Sequence, residues 1–289
     1  MKHKDKFALI NKFLPNLKIK ESKIIESGSH SLAIIVNNDL VFRFPLKKEF
    51  NDEYITEKII LDEIRSFIST KIPNLTIYED KDQIFTLHKI IKGEQYSNLK
   101  NINKDKVAEG VAKFLAELHS IKTDKIKTEE FSLEDYQIEG NNIEIINKYL
   151  KDKNKIEEFN KTIEAFKKES KNLRIEDQVI CHDDVNENNI LINERGELEG
   201  IIDFGNSIKR NYNVDFTALL KWDYELITKI IKKYEEITKR KVNLKYAILV
   251  QKIKCYGGII YCLNENDEKN IKMFEEWLDY IKNNYKSIN

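Results

Sequence analysis

Cys181-His182-Asp183-Asp184-Val185-Asn186-Glu187-Asn188-Asn189-Ile190-Leu191-Ile192, followed by Ile201-Ile202-Asp203-Phe204-Gly205, is the stretch that decides how this chain is read. It sets one Asp five residues before an Asn and another Asp fourteen residues beyond that Asn, each beside a short apolar run with strand character. Asp and Asn are ordinary turn residues when taken singly. As a set they are the parts that phosphoryl transfer requires. One carboxylate orients an attacking hydroxyl and takes its proton, while an amide oxygen and a second carboxylate hold the magnesium that bridges nucleotide phosphates.

Working outward, Val179 to Cys181, Asn189 to Ile192 and Gly200 to Ile202 read as short strands around the turn Glu194-Arg195-Gly196. That arrangement puts His182, Asp184 and Asn189 on the loop between the first two and Asp203 just past the third. Before this region, Leu32 to Val36 and Leu40 to Phe44 flank Asn37-Asn38-Asp39, a hairpin pattern that Pro45 closes. Residues 52 to 69, with Tyr54, Ile55, Ile59, Ile60, Ile64 and Phe67 among charges, have the spacing of an amphipathic helix. Ile84 to Ile91 reads as a further strand stopped at Lys92-Gly93. Residues 104 to 121 carry Val107, Val111, Phe114, Leu115 and Leu118 on one helical face. The spacing also predicts helix over 143–170, 216–237 and 244–285, the first of these with one solvated face. Strands thus dominate up to about residue 95, and helices follow.

The chain has 289 residues, 41% of them hydrophobic, enough for a sizeable core without staples. Lys and Arg number 49, as do Asp and Glu, so the net charge of zero gives no electrostatic reason for a nucleic-acid or membrane partner. Three cysteines, Cys181, Cys255 and Cys262, without a C-x-x-C pair, fit a reduced cytoplasmic protein. No run, including Gly257 to Leu263, approaches the roughly 18 apolar residues of a membrane span. A monomer is the default expectation.

His182-x-Asp184-x-x-x-x-Asn189 followed by Ile201-Ile202-Asp203-Phe204-Gly205 resembles the aminoglycoside phosphotransferases, relatives of the protein kinases, and within them the enzymes that modify a 2''-hydroxyl. Val41-Phe42-Arg43-Phe44-Pro45, Thr56-Glu57-Lys58-Ile59-Ile60-Leu61 and Phe114-Leu115-Ala116-Glu117-Leu118-His119 carry the resemblance elsewhere, over nearly the whole chain. It implies an α+β, two-lobed, protein-kinase-like fold. A small nucleotide-binding lobe over 1–92, an antiparallel sheet with one main helix, would precede a larger, mostly helical lobe over 93–289 for catalysis and substrate binding.

Carried over residue by residue, Asp184 is the expected catalytic carboxylate, with His182 bracing its loop, and Asn189 and Asp203 the expected Mg2+ ligands. Asp183 competes with Asp184 for the base role, but the spacing from His182 and Asn189 selects Asp184, leaving Asp183 as a loop-capping or substrate-facing acid. Arg43 and Glu57 resemble the strand cation and helix carboxylate that pair beside nucleotide phosphates, with Arg where protein kinases have Lys. Ser27, Gly28 and Ser29, in the segment Glu26 to Ser31, stand where the family covers the nucleotide. The strand ending near Ile91 would lead to the hinge that receives the purine of GTP or ATP, through backbone groups at positions such as His88 and Ile90. Asp215 matches a family Asp that orders the catalytic loop, and His119 reads as a core histidine.

A polycationic aminoglycoside calls for carboxylates. The candidates are Asp223 and Glu225, then Glu265, Asp267 and Glu268 in a polar insert, and Glu275 and Glu276 near Trp277. Lys221 works against a cationic acceptor if it faces the cleft. Trp222, Tyr224, Tyr256 and Tyr261 suit a larger, less charged acceptor such as a macrolide, or a metabolite alcohol. A nucleotide-binding regulator without turnover is a third reading, disfavoured by the intact Asp184, Asn189 and Asp203.

Overall fold

A computed structural model of the chain describes residues 3–25, 31–81, 83–221 and 223–286. Along the chain come α1 (His3–Phe13), β1 (Ser22–Ile25), β2 (Ser31–Val36), β3 (Leu40–Pro45), α2 (Asn51–Ile64), β4 (Thr76–Asp80), β5 (Gln83–Lys89) and β6 (Glu94–Gln95). There follow α3 (Lys104–Ser120), α4 (Gly140–Leu150), α5 (Lys153–Ser170), β7 (Gln178–Cys181), β8 (Ile190–Ile192), β9 (Leu198–Ile201), β10 (Ile208–Asn211), α6 (Tyr224–Thr238), α7 (Leu244–Glu265) and α8 (Glu268–Asn284). These form two compact units: Met1–Leu99 with Asn188–Ser207, and Lys100–Glu187 with Ile208–Asn289. A single cut after residue 92 therefore does not describe the chain. Residues 188–207 group with the first unit because β8 pairs with β6, Glu94 opposite Ile192 and Gln95 opposite Leu191.

In the first unit an antiparallel sheet runs in the order β1-β2-β3-β5-β4. Leu32, Ile34 and Val36 alternate inward along β2 and meet Phe42, Phe44, Phe85 and Ile10 of α1 in one core. Phe85 stacks on Phe44 and on Tyr78, with ring centroids 5.0 and 5.1 Å away. The β2–β3 loop, Asn37 to Asp39, has Asn37 and Asn38 at φ 54° and 51°, both left-handed, and the Asp39 amide donates to the Val36 carbonyl at 3.1 Å to close the turn. The loop Glu26 to His30, which holds Ser27, Gly28 and Ser29, lies outside the described residues, as does Trp222.

α2 is shorter than its spacing suggests, ending at Ile64, and its buried stripe is Tyr54, Glu57, Ile60, Leu61 and Ile64. Ile55, Ile59 and Phe67 are exposed. A carboxylate has taken a place that the apolar pattern would give to an aliphatic side chain, and its partner explains why.

The second unit is built around α7, buried over most of its circumference. Gly257 and Gly258 let it approach its neighbours. A Cβ at Gly257 would lie 2.6 Å from Tyr136, and one at Gly258 2.2 Å from the Phe274 ring of α8. The predicted helix 143–170 is two helices, since Lys151 turns left-handed at φ 55° and Asp152 caps α5 by accepting from the amides of Asn154 and Lys155. The predicted helix 244–285 breaks in the same manner, at Asn266 (φ 56°) with Asp267 capping α8. From Tyr212 to Lys221 the chain makes short 3-10 turns, and α6 begins only at Tyr224, capped by Asp223. β7 pairs with β10, so it lies in a different sheet from β8 and β9. Among the described residues no helix is long and apolar enough to cross a membrane.

Candidate active site

The first unit carries the cation, its carboxylate partner and both expected metal ligands. On β3, Arg43 lies between Ala33 of β2 and Thr86 of β5. Its Nη1 donates to both oxygens of Glu57 at 2.7 and 2.8 Å, and its Nη2 donates to Asp203 Oδ1 at 3.3 Å. The Phe204 amide donates to Glu57 Oε1 at 3.3 Å. Glu57 is 1% exposed, so this fork and amide are what make a buried carboxylate tolerable on α2. Burial opposes the charge on Arg43, but Glu57 and Asp203 outweigh it and raise the guanidinium pKa, so the cation stays charged.

The β8–β9 hairpin sets the other two positions. Ile190 pairs with Ile201, and the Ile202 amide donates to the Asn189 carbonyl at 3.1 Å, so Asn189 and Asp203 stand at the same end of the hairpin. Asp203 is left-handed at φ 66°. An amide oxygen and a carboxylate are hard donors and match Mg2+, which takes few protein ligands and completes its shell with phosphate and water. This donor set fits the ion.

The two positions expected to meet the purine, His88 and Ile90, lie at the end of β5. Burial lowers the His88 pKa, and its Nδ1 donates to the Lys89 carbonyl at 2.9 Å, so the ring is a neutral core histidine. The Ile90 amide donates to the Asp39 carbonyl at 2.7 Å, tying the end of β5 to the β2–β3 loop.

The second unit holds the loop from His182 to Glu187. The His182 amide donates to Asp215 Oδ2 at 3.1 Å and the Asp183 amide to Asp215 Oδ1 at 2.6 Å. The Asp184 amide donates to His182 Nδ1 at 3.2 Å, which places the ring proton of a neutral His182 on Nε2. Asn186 Nδ2 donates to Asp184 Oδ1 at 2.9 Å and to the Asp184 carbonyl at 3.3 Å, fixing the carboxylate orientation. Asn186 escaped the sequence reading. The one signal it offered is an Asn two residues after an Asp, a spacing at which side chain and backbone bond locally. Asp183 is 8% exposed, left-handed at φ 61°, and held by Arg210 at 3.0 Å and Lys254 at 2.5 Å. Its carboxylate is an internal anchor and does not face an acceptor.

His119, Cys181 and Asp215 bring a nitrogen, a thiol and a carboxylate oxygen within 4.8 Å of one another. Those atoms already have work. His119 Nε2 donates to Asp215 Oδ2 at 2.8 Å, and the Tyr234 hydroxyl lies 2.8 Å from Nδ1. Burial pushes the Cys181 thiol well up, so it remains protonated, and the group is a hydrogen-bonded brace. Burial works against the Asp215 charge, but His119, His182 and the Asp183 amide more than offset it, and its pKa is lowered. A carboxyl whose folded pKa is depressed contributes stability above its unfolded value, and that contribution is lost as pH falls through the folded one. Asp215→Asn is expected to cost about 3 kcal/mol at neutral pH, lowering Tm by roughly 6 to 12 °C. Its thermal stability should also change less than the parent's below about pH 4. Melting curves at a series of pH values check both.

The expected acceptor-binding acids do not form one cluster of unpaired carboxylates. Lys104 Nζ donates to Asp223 Oδ1 at 3.0 Å and Glu225 Oε2 at 2.9 Å, and Asp223 Oδ1 also caps α6 by accepting from the Leu226 amide. Glu268 lies in the first turn of α8, Glu275 faces Lys155 at 3.8 Å, and Glu276 faces Lys272 at 3.9 Å along its own helix. Lys221 Nζ sits 3.9 Å from the Trp277 ring centroid.

An antiparallel-sheet unit with a strand Arg forked onto a helix Glu, a helical unit, and a loop bearing the Asp184 and Asn189 pattern together define a kinase-like phosphotransferase. The chain belongs to the phosphotransferase enzyme family, whose model matches residues 21–236. Its fold is similar to that of a mutant aminoglycoside 2'-phosphotransferase-IIIa bound to GDP, with TM-score 0.85 and 18% identity over 100% of both chains. It is also similar to a GDP and kanamycin complex of APH(2")-IIIa, with TM-score 0.74 and 20% identity over 97% of this chain and 99% of that one. A type I macrolide 2'-phosphotransferase is similar at TM-score 0.66 and 15% identity over 95% and 96% of the two chains.

Proposed function

We propose that this chain transfers the γ-phosphate of GTP or ATP to a hydroxyl of an aminoglycoside, with the 2''-hydroxyl as the favoured position, and thereby confers resistance in the cytoplasm. The observation that carries this reading is the loop His182 to Asn189, in which Asp184 is oriented by His182 and Asn186 five residues ahead of Asn189. The similarity to enzymes in complex with GDP and kanamycin supports the donor and acceptor classes.

In this reading Asp184 accepts the proton of the acceptor hydroxyl as its oxygen attacks the γ-phosphorus. The bond from that phosphorus to the β,γ-bridging oxygen breaks, leaving a phosphate monoester, a nucleoside diphosphate and a proton on Asp184. Asn189 and Asp203 would hold Mg2+, which when bound neutralises charge on the phosphate oxygens. Arg43, kept charged by Glu57 and Asp203, offers the rest of its guanidinium to the phosphates.

A second reading, a macrolide or metabolite alcohol as acceptor, draws on Lys104. Its ammonium already occupies Asp223 and Glu225, as a substrate ammonium would, and Lys221 adds a further cation. If the acceptor is an aminoglycoside that displaces Lys104, Lys104→Ala is expected to lower its KM about 3- to 10-fold with kcat little changed. Steady-state kinetics across aminoglycosides and macrolides, following nucleotide consumption, decides between the readings. Turnover of an aminoglycoside supports the first, and turnover confined to macrolides or other alcohols selects the second.

A further inference from the structure

Lys254, on α7, does more than neutralise a buried acid. Its Nζ donates to Asp183 Oδ1 at 2.5 Å and also to the Asp183 backbone carbonyl at 3.3 Å. That carbonyl belongs to the peptide joining Asp183 to Asp184. The amide of the same peptide donates to His182 Nδ1 at 3.2 Å. Both ends of one peptide plane are therefore gripped by side chains, one from α7 and one from the loop itself. The plane sets the direction in which Asp184 leaves the backbone.

Asp183 is what makes this grip stable. A left-handed φ of 61° is costly for most side chains and less so for Asp. Arg210 of β10 holds its Oδ2 at 3.0 Å while Lys254 of α7 holds Oδ1, so the carboxylate is fixed from two elements. The Asp183 and His182 amides are anchored beneath by Asp215. Burial opposes the ammonium of Lys254, but Asp183 outweighs it and raises its pKa, so the ammonium stays charged.

We infer that Lys254 is a positioning residue that clamps the Asp183–Asp184 peptide, with Asp183 as its internal anchor, so that the Asp184 carboxylate is aimed before acceptor and nucleotide bind. The inference rests on the proposed role of Asp184 as proton acceptor. It does not depend on which alcohol is phosphorylated.

The double variant Lys254→Met/Asp183→Asn removes the ammonium and the carboxylate it holds together, and the Asn side chain still offers an oxygen to Arg210. Asn tolerates the left-handed backbone, but the peptide carbonyl loses its ammonium. The clamp predicts a kcat lowered about 10- to 100-fold, the loss expected of a misplaced catalytic group, with KM for nucleotide within about twofold. A folded double variant with parental kcat would overturn it. Asp184→Asn assayed beside it separates the two levels. If Asp184→Asn keeps the parental rate, the proton-acceptor reading fails, whereas a dead Asp184→Asn with a fully active double variant sinks only the clamp. Amide hydrogen exchange in the unsubstituted protein needs no variant. The Asp184 amide should exchange at least about 100-fold more slowly than in an unfolded chain, and exchange at the unfolded rate would show that the peptide is not held.

Discussion

Replacing Asp184 with Asn is expected to lower kcat about 10³-fold and leave KM for nucleotide within about twofold. Asn has the shape of Asp and keeps an oxygen for the Asn186 amide, and its backbone N–H still reaches His182 Nδ1. The loop therefore holds its course, and what is lost is the capacity to take a proton. Part of the rate survives because positioning and charge stabilisation by the other groups do not depend on that proton. Single-turnover measurement at saturating nucleotide and acceptor isolates the chemical step. A rate within threefold of the parent would take Asp184 out of the chemistry.

The second large effect is expected at Asp203. Asn is again the informative replacement, since it accepts the left-handed backbone at φ 66° and still offers an oxygen to Arg43 Nη2. A neutral ligand binds Mg2+ more weakly. The metal concentration for half-maximal rate should rise about 10- to 100-fold, and the rate at a fixed low metal concentration should fall by about the same factor, roughly 1.4 to 2.8 kcal/mol of lost stabilisation. Asp203 is about half exposed, so stability should change little and Tm serves as the control. A magnesium titration that superimposes on the parent's would assign the metal to other residues.

The parts of the molecule that were legible in the sequence are those fixed by local chemistry. Asn37-Asn38 between two alternating runs dictated a hairpin, and the apolar face of α3 stood out from its charges. The spacing of His182, Asp184, Asn189 and Asp203 was visible because two short strands and one loop hold all four. β4 did not stand out, since Thr76 to Asp80 is an edge strand ending in Glu79 and Asp80, and edges tolerate charge. The inward face of α2 was misjudged because Glu57 outranks Ile55 and Ile59 there, a choice set by Arg43 fourteen residues away. The breaks at Lys151 and Asn266 were overlooked although Asp152 and Asp267 are good caps, because caps are hard to separate from other acids in a chain that is 34% charged.

Asp183 shows the same limit inside the site. Its spacing left it open as a substrate-facing acid, and only partners 27 and 71 residues away turn it inward. The expected acceptor acids share this fate. Asp223 caps a helix and, with Glu225, is bonded to Lys104, more than a hundred residues earlier. Local sequence states which groups are present, and long-range pairing decides which of them have charge to spare for a ligand.

In the proposed function this chain moves a γ-phosphate onto a sugar hydroxyl with Asp184 as the proton acceptor. Phosphorus NMR of a reaction containing the protein, Mg2+, GTP or ATP and an aminoglycoside tests it most directly, with Asp184→Asn run in parallel. The expected result is a phosphate-monoester resonance on the antibiotic, accumulating in step with nucleoside diphosphate and nearly absent with the variant. Nucleoside diphosphate and inorganic phosphate without any monoester, or a monoester formed equally fast by Asp184→Asn, would contradict it.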